Sequence, residues 1–426
     1  MNYHISMFTK IKNTYKEYPS AFWVLTLATF IDMLGSFLLY PFYALYITGR
    51  FGVGMIEVGY LFSIFSVGNI LGNVIGGALA DKYGRRAMIL IGLIVSGIGS
   101  VLLGLVDNLN TFYILAAFLG LIGNFGGPAR QAMVADLLPN EKQTKGFGII
   151  RVAFNISAVI GPLLGGVIAT RSFMLLFIAD AVSSIITAVI VYFVIPETKP
   201  QRHDNESQET VIKTLIGYKN VIKDWKFMLF LGVSAITVLV YMQMNSTLSV
   251  FLRDVHGFPE QGFGYILSMN AIMVVFFQFW ITKKVSKYAP MKMMAFGTIF
   301  LMIGFGMYGF ISEPYLFFIA MGIITVGEMI VFPLGQSTAA SFAPEDKRGR
   351  YMAVYAFQWS IPNMFGVLGA GLIWVNIGPN WVWYLAGILS LISTIGFWLI
   401  HGITKKLILE EEKPIEEELF EYTLLE

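Results

Sequence analysis

The chain reads as an all-α membrane protein of twelve transmembrane helices, arranged as two six-helix bundles related by a pseudo-twofold axis. Three observations carry that expectation. First, 56% of the 426 residues are hydrophobic and only 13% are charged, whereas a water-soluble domain carries about a quarter charged residues. Too little polar surface remains to cover a core in water, so lipid is the expected solvent. Second, the apolar residues fall into consecutive stretches of the length that crosses a bilayer, about 20 residues each. Third, the chain repeats itself at a constant offset of 205 residues.

Taken in order, the expected spans are 21–47, 56–80, 87–106, 111–136, 146–169 and 173–195, then 227–251, 263–283, 292–311, 315–338, 351–374 and 381–403. The first follows Lys10, Lys12 and Lys16 directly. It is too long for a signal-peptide core and reads as a retained helix. Connections such as Asp107–Asn110 and Ile311–Pro314 are so short that sequential helices must be antiparallel neighbours. The exception is 196–226, a polar linker that includes Gln201–Glu209 and an amphipathic stretch over 211–225 suited to the interface. The expected organisation is therefore an N-terminal bundle over 1–195, a cytoplasmic linker over 196–226, a C-terminal bundle over 227–404 and an acidic tail over 405–426. That tail reads as solvated, with one helical turn or two. Of 29 Lys and Arg residues, only Arg50, Arg171 and Arg253 fall at the outer ends. That asymmetry predicts both termini in the cytoplasm.

The offset aligns three separate regions. Pro128, Gln131, Ala135, Pro139 and Lys142 fall on Pro333, Gln336, Ala340, Pro344 and Lys347. Lys82-Tyr83 falls on Lys287-Tyr288, and Gly161 and Gly166 fall on Gly366 and Gly371. Two halves of one topology, repeated in parallel, have their axis along the membrane normal and leave a cavity near the midplane.

Several classes are excluded by what the residues lack. No cysteine is present, so disulfides, thiolate metal sites and thiol catalysis are out. The four histidines, at 4, 203, 256 and 401, lie near ends or loops and form no H-E-x-x-H motif. An enzyme is not expected, nor a metal site. A net charge of +2 provides no field for nucleic acid. No G-x-x-x-x-G-K-[ST] loop occurs, so no nucleotide powers the chain in that way. No cofactor is implied, and coupling must use an ion gradient or none.

Charged and amide residues inside the spans stand out, since a charge at the centre of a membrane helix costs about 2.5–3.5 kcal/mol and persists when it faces water or a partner. Asp32 in span 1 and Glu328 in span 10 are the two carboxylates best placed for a proton or a cation. Arg130 in span 4 can pair with Asp32 or with a substrate anion. Tyr40 and Tyr43 flank Pro41 in span 1, Gln243 and Asn245 sit in span 7, and Gln358 and Trp359 in span 11. Asp180 reads as a local hydrogen-bonding group near the outer end of span 6, and Arg151 as a side chain snorkelling inward.

Between spans 2 and 3 stands Gly77-Ala-Leu-Ala-Asp81-Lys-Tyr-Gly84-Arg85-Arg86, a charged hinge wedged between two apolar runs. Gly77 suits close helix approach, Gly84 suits a turn of positive φ, and Arg85 or Arg86 can reach Asp136 at the inner end of span 4. The hinge resembles the signature loop between the second and third helices of the major facilitator superfamily. Gly161-Pro162-Leu-Leu-Gly165-Gly166, with Gly148 and Ser157 before it, is similar to the antiporter signature of that family's drug:proton branch, Ser157 replacing one glycine. The resemblance implies that Asp81 points at the helix starting near Tyr351 and that the hinge is a cytoplasmic gate. It implies a secondary active transporter working by alternating access, foremost a proton-coupled exporter of amphipathic or cationic small molecules, resident in the cell membrane and competent as a monomer. A sugar, metabolite or lipid-linked glycan transporter of the same fold is the alternative. One departure stands out. The branch often carries an arginine in span 4 where this chain reads Ala116-Ala117-Phe118-Leu119-Gly120. Either Arg130 or Arg151 takes its place, or coupling runs differently.

Overall fold

A computed structural model describes residues 17–198, 221–343 and 348–423. The polar stretch 201–209, most of the amphipathic stretch 211–225, the lysines of the first sixteen residues and the repeat positions Pro344 and Lys347 lie outside the described residues. Every regular element among the described residues is helical. Eleven helices are long and apolar enough to cross a membrane, from Ser20–Phe51 to Pro379–Ile403.

The twelfth expected span, 351–374, differs from the rest. It is divided into Arg348–Tyr355 and Phe357–Asn376. The second piece has the length to span, but Gln358, Ser360 and Asn363 make its first half more polar than the other eleven helices. The fold is the twelve-helix arrangement with one polar member. At the C-terminal end, Pro379–Thr423 is helical throughout, well past the one or two turns expected of the tail. Its Lys405-Lys406 and Glu410–Glu412 are good helix formers.

Breaks in the helices follow the sequence. Pro41 lacks a backbone N–H and converts Tyr40–Phe42 to a 3₁₀ turn between Ser20–Leu39 and Tyr43–Phe51. Span 7 has a matching 3₁₀ turn at Gln243–Asn245, 203 residues later. Span 4 is interrupted at Gly123–Phe125. Pro162 and Pro333 are absorbed inside the continuous helices Asn140–Ala169 and Pro314–Ser341.

Contacts divide the described chain into two compact units. One gathers spans 1 to 6 with Met244–Val275 and Asn363–Val375; the other holds span 7 up to Gln243, Phe276–Pro362 and the chain from Asn376. The units therefore cut across the chain-order bundles, because the second parts of spans 7 and 11 and the start of span 8 pack on the first half. Helix pairing repeats within each unit. Span 6 packs on spans 1 and 3 in the first, and span 12 on spans 7 and 9 in the second. In the first unit, Phe22, Leu25, Met88, Ile89, Met133 and Val134 belong to one buried cluster that ties spans 1, 3 and 4 together at one end.

Spans 2 and 4 approach through a stripe of small residues. A Cβ on Gly68, Gly72 or Gly76 would stand 3.0, 2.2 and 2.6 Å from backbone atoms of Ala117, Leu121 and Phe125. Spacing at i, i+4, i+8 puts all three on one helix face. Gly72→Ala is expected to force these helices apart and to destabilise the protein by about 2 kcal/mol, read as a lower thermal midpoint in detergent. Gly148→Ala, with nothing within 4 Å of its Cβ position, should leave the midpoint unchanged.

Candidate functional site: an ion pair in an interhelical cavity

Asp32 and Arg130 meet. Arg130 Nη2 donates to Asp32 Oδ2 at 2.8 Å, and the two side chains are only 17% and 11% exposed. Ser184 of span 6 donates to Asp32 Oδ1 at 3.3 Å. Span 1 is held in position for this by Thr187, which donates to Ala28 O at 3.2 Å, and by Ser157, which donates to Phe30 O at 3.1 Å. The pair lies on the wall of a cavity of about 260 Å³ enclosed by spans 1, 2, 3, 4 and 6. Tyr40 and Tyr43 also line it, as do Asn124 and Asp180. Arg151 is exposed on span 5 and has no part in this cavity.

Asp180 is the first correction. It does have a hydrogen-bonding partner in reach, the Ser100 hydroxyl, but it is 7% exposed and lines the cavity, which its place near a helix end did not suggest. Its rotation is set by the packing of span 6 on span 3, where a Cβ on Gly97 would meet Ala181 O at 3.2 Å. Helix phase of that kind is not written in the sequence around Asp180.

A second feature missed in the sequence is an amide ladder. Asn73 Nδ2 donates to Asn69 O at 3.0 Å, Asn69 Nδ2 to Asn124 Oδ1 at 3.1 Å, and Asn124 Nδ2 to Gly120 O at 2.8 Å. Asn73 is exposed and Asn124 lines the cavity, so hydrogen-bonded amides run from span 2 to the cavity wall. The i, i+4 spacing of Asn69 and Asn73 in an apolar span was the available signal.

The remaining predicted residues are placed separately. Glu328 accepts a hydrogen bond from Tyr241, whose ring packs against Phe332 and Trp359 at 4.8 and 6.3 Å between centroids. Gln358 is buried and hydrogen-bonded to Tyr355. Gln243 is buried and donates to Leu239 O at 3.0 Å. These belong to the second unit, whereas Asn245, at the end of the 3₁₀ turn of span 7, belongs to the first.

At the hinge, Gly84 has φ of 111° and ends the helix Met55–Tyr83 while starting Arg85–Leu105. Arg85, 6% exposed, brings Nε to 3.0 Å from Asp136 Oδ2. Arg86 goes elsewhere: its guanidinium donates to Tyr192 O and lies over the Tyr192 ring at 5.2 Å. The side chain of Asp81 lies outside the described residues. The acid at a helix N-terminus here is Glu197, just past span 6. Its carboxylate accepts from the backbone N–H of Arg85 at 2.8 Å and of Arg86 at 3.2 Å, where unpaired donors and the helix dipole favour an anion. Thr198 donates to Asp136 Oδ2 at 2.9 Å. Glu197→Ala is expected to cost about 1 kcal/mol of stability, with Glu197→Gln losing less, both measured as thermal midpoints.

Two packing expectations need correction. A Cβ on Gly77 would meet Pro128 Cβ at an ordinary 3.7 Å; the close approach belongs to Gly76, one residue and about 100° around the helix. Gly148 has no neighbour to pack against. In the proline motif, Gly161 and Gly165 admit Phe37 and Leu38 of span 1, with Cβ positions 2.4 and 2.5 Å from Phe37 Cβ and Leu38 O. Gly166 faces span 8, 3.1 Å from Glu260 O. Pro162 places its carbonyl where a Cβ on Gly264 would stand 2.5 Å away.

The second part of span 7 is pinned to span 1 within the same unit. Arg253 donates to Leu45 O at 3.1 Å and to Thr48 Oγ1 at 2.9 Å. Ser63 of span 2 donates to Met364 O of span 11.

A polytopic helical bundle with a guanidinium–carboxylate pair on an internal cavity is an architecture suited to membrane transport. The profile described as Major Facilitator Superfamily matches residues 25–367. The chain belongs to the major facilitator superfamily. It is 24% identical over 422 residues to a Na(+), Li(+), K(+)/H(+) antiporter of Planococcus maritimus, covering 92% of this chain and 98% of that one. It is 22% identical over 368 residues to the multidrug resistance protein MdtH of Shigella flexneri, covering 85% and 89%. Among solved structures, the nucleoside transporter NupG superposes with a TM-score of 0.78 at 14% identity, covering 89% of this chain and 100% of that one; at that identity the likeness concerns the fold alone.

Proposed function

We propose that this transporter exchanges protons for amphipathic or cationic small molecules by alternating access, exporting them across the cell membrane as a monomer with both termini in the cytoplasm. The observation that carries this reading is the 2.8 Å Asp32–Arg130 pair on the cavity wall. Protonating Asp32 cancels its attraction for Arg130. In a poorly solvated site that attraction is large, so one proton changes which helix contacts are favourable. The gradient does the work, at about 2.3 kcal/mol per charge per 100 mV, and no cofactor is needed. The halves 1–195 and 227–404 move as the two bodies, with the linker 196–226 between them. Asp81, Arg85 and Asp136 hold the cytoplasmic gate.

A second reading, exchange of alkali cations for protons, is favoured by the Planococcus maritimus relative, whose match covers nearly all of both chains. Both readings are tested in proteoliposomes with an imposed pH gradient, screened against cationic dyes, alkali cations, sugars and lipids. Uptake of dyes or alkali cations that collapses with the gradient supports proton-coupled cation exchange. Gradient-independent movement of sugars or lipids alone would replace it.

A further inference from the structure

We infer that Asp180 is the binding carboxylate for a small monovalent cation within the cavity of the first bundle. This rests on the reading of the protein as a proton-coupled exchanger and names the ligand class of that same site.

The charges around the cavity do not balance. Besides two tyrosines, three charge-bearing side chains face it: Asp32, Asp180 and Arg130. Arg130 is committed to Asp32 at 2.8 Å. Asp180, 93% buried by its 7% exposure, has no cationic side chain paired with it among the described residues. With both acids ionised the cavity carries one surplus negative charge in a site largely shielded from bulk water. A lone charge there is unfavourable unless a counter-charge accompanies it. The neutral states are those with one proton or one cation bound, which makes the two compete for a single place.

Size and donor chemistry select the cation. A volume of about 260 Å³ accommodates a small ion with some of its water. Oxygen donors share the cavity with Asp180: the Ser100 hydroxyl lies within its hydrogen-bonding reach while donating to Phe177 O, and Tyr43 and Ser96 lie on the same lining. Oxygen donors suit hard cations. Divalent ions take several carboxylates, and no group of three or more His, Asp or Glu is found among the described residues. One uncompensated carboxylate with hydroxyls therefore suits a monovalent ion. The Asn73–Asn69–Asn124 ladder carries hydrogen-bonded amides from span 2 to the cavity wall.

The proton competition involves every titratable group that faces Asp180. Span 1 presents Asp32, Tyr40 and Tyr43, and span 4 presents Arg130; span 3 presents only the hydroxyls of Ser96 and Ser100. Asp32 is held by Arg130 at 2.8 Å, which leaves Asp180 as the carboxylate that proton and cation would share.

The test is equilibrium binding of radiolabelled sodium to the full-length protein in detergent, with no gradient present. Wild-type protein is expected to bind one ion per chain, displaced by potassium or by acidification and indifferent to equal ionic strength of choline or magnesium. Asp180→Asn, isosteric and uncharged, should weaken binding at least about tenfold while eluting as a monodisperse peak. Ser100→Ala keeps the carboxylate and should weaken binding several-fold with the stoichiometry intact. Wild-type protein that binds no sodium overturns the inference, as does an Asp180→Asn variant that binds as the wild type does. Should Asp180→Asn not fold, an unchanged affinity in Ser100→Ala overturns it instead. Because binding is read without a gradient, failure of proton-coupled export would sink the transport reading while leaving the sodium result in place.

Discussion

Asp32→Asn is expected to abolish proton-driven transport and to lower stability by about 3 kcal/mol, because it strands the Arg130 guanidinium in a buried site. The side chains are nearly isosteric, so packing is unchanged and the loss is electrostatic. The amide still offers an oxygen to Arg130, but the 2.8 Å contact no longer carries an opposing charge. Removing the arginine as well supplies the control. Asp32→Asn with Arg130→Gln should recover most of the lost stability, since no unpaired charge remains, yet transport should stay absent. An interaction energy of this kind, obtained from the two single variants and the double, separates the pair from each residue's other contacts. At about 3 kcal/mol, a binding or coupling step that depends on the pair would fall by roughly a hundredfold. Thermal midpoints and initial rates in proteoliposomes read the two effects independently.

Gly84→Val carries the second large effect. Gly84 has φ of 111°, a region that β-branched residues avoid, and holding one there costs about 1–3 kcal/mol. The new Cβ would also stand 2.4 Å from Glu197 Oε2 and 2.6 Å from its Cδ. The carboxylate must leave the N-terminus of Arg85–Leu105, which removes about 1 kcal/mol more. With the hinge displaced, Arg85 loses its register against Asp136. Transport should fall together with the thermal midpoint. Pairing the change with Glu197→Gly removes the clash while leaving the backbone strain, so a partial rise in midpoint is expected. Full recovery would mean that φ at this turn is of no consequence.

The hinge also shows how far sequence reasoning carries. Span lengths, the Pro41 break and the need for a glycine at position 84 follow from local chemistry, and the repeat at 205 residues foreshadows the pairing of span 6 and span 12 with matching partners. Arg130 was legible as a partner for Asp32 because few cations sit at that depth. Other features depend on rotations or distant returns of the chain. Gly76 rather than Gly77 receives span 4 because one residue turns the helix face by about 100°. Glu197 reaches a helix that begins 112 residues earlier, and nothing near Glu197 signals that return. Asp180 looked peripheral by its place in span 6; only the phase fixed by packing on span 3 aims it into the cavity. Span 11 was legible as a helix, but its break near Ala356 and its polar first half reflect Gln358, Ser360 and Asn363, whose demands conflict with lipid.

The most direct test of the account records internal pH and substrate efflux together, in the same proteoliposomes, after an inward proton gradient is imposed. For wild-type protein the account predicts that a cationic substrate leaves as protons enter, that both signals vanish when the gradient is dissipated, and that both are absent in Asp32→Asn. Efflux that proceeds unchanged without a gradient, or with Asp32 replaced, would contradict it.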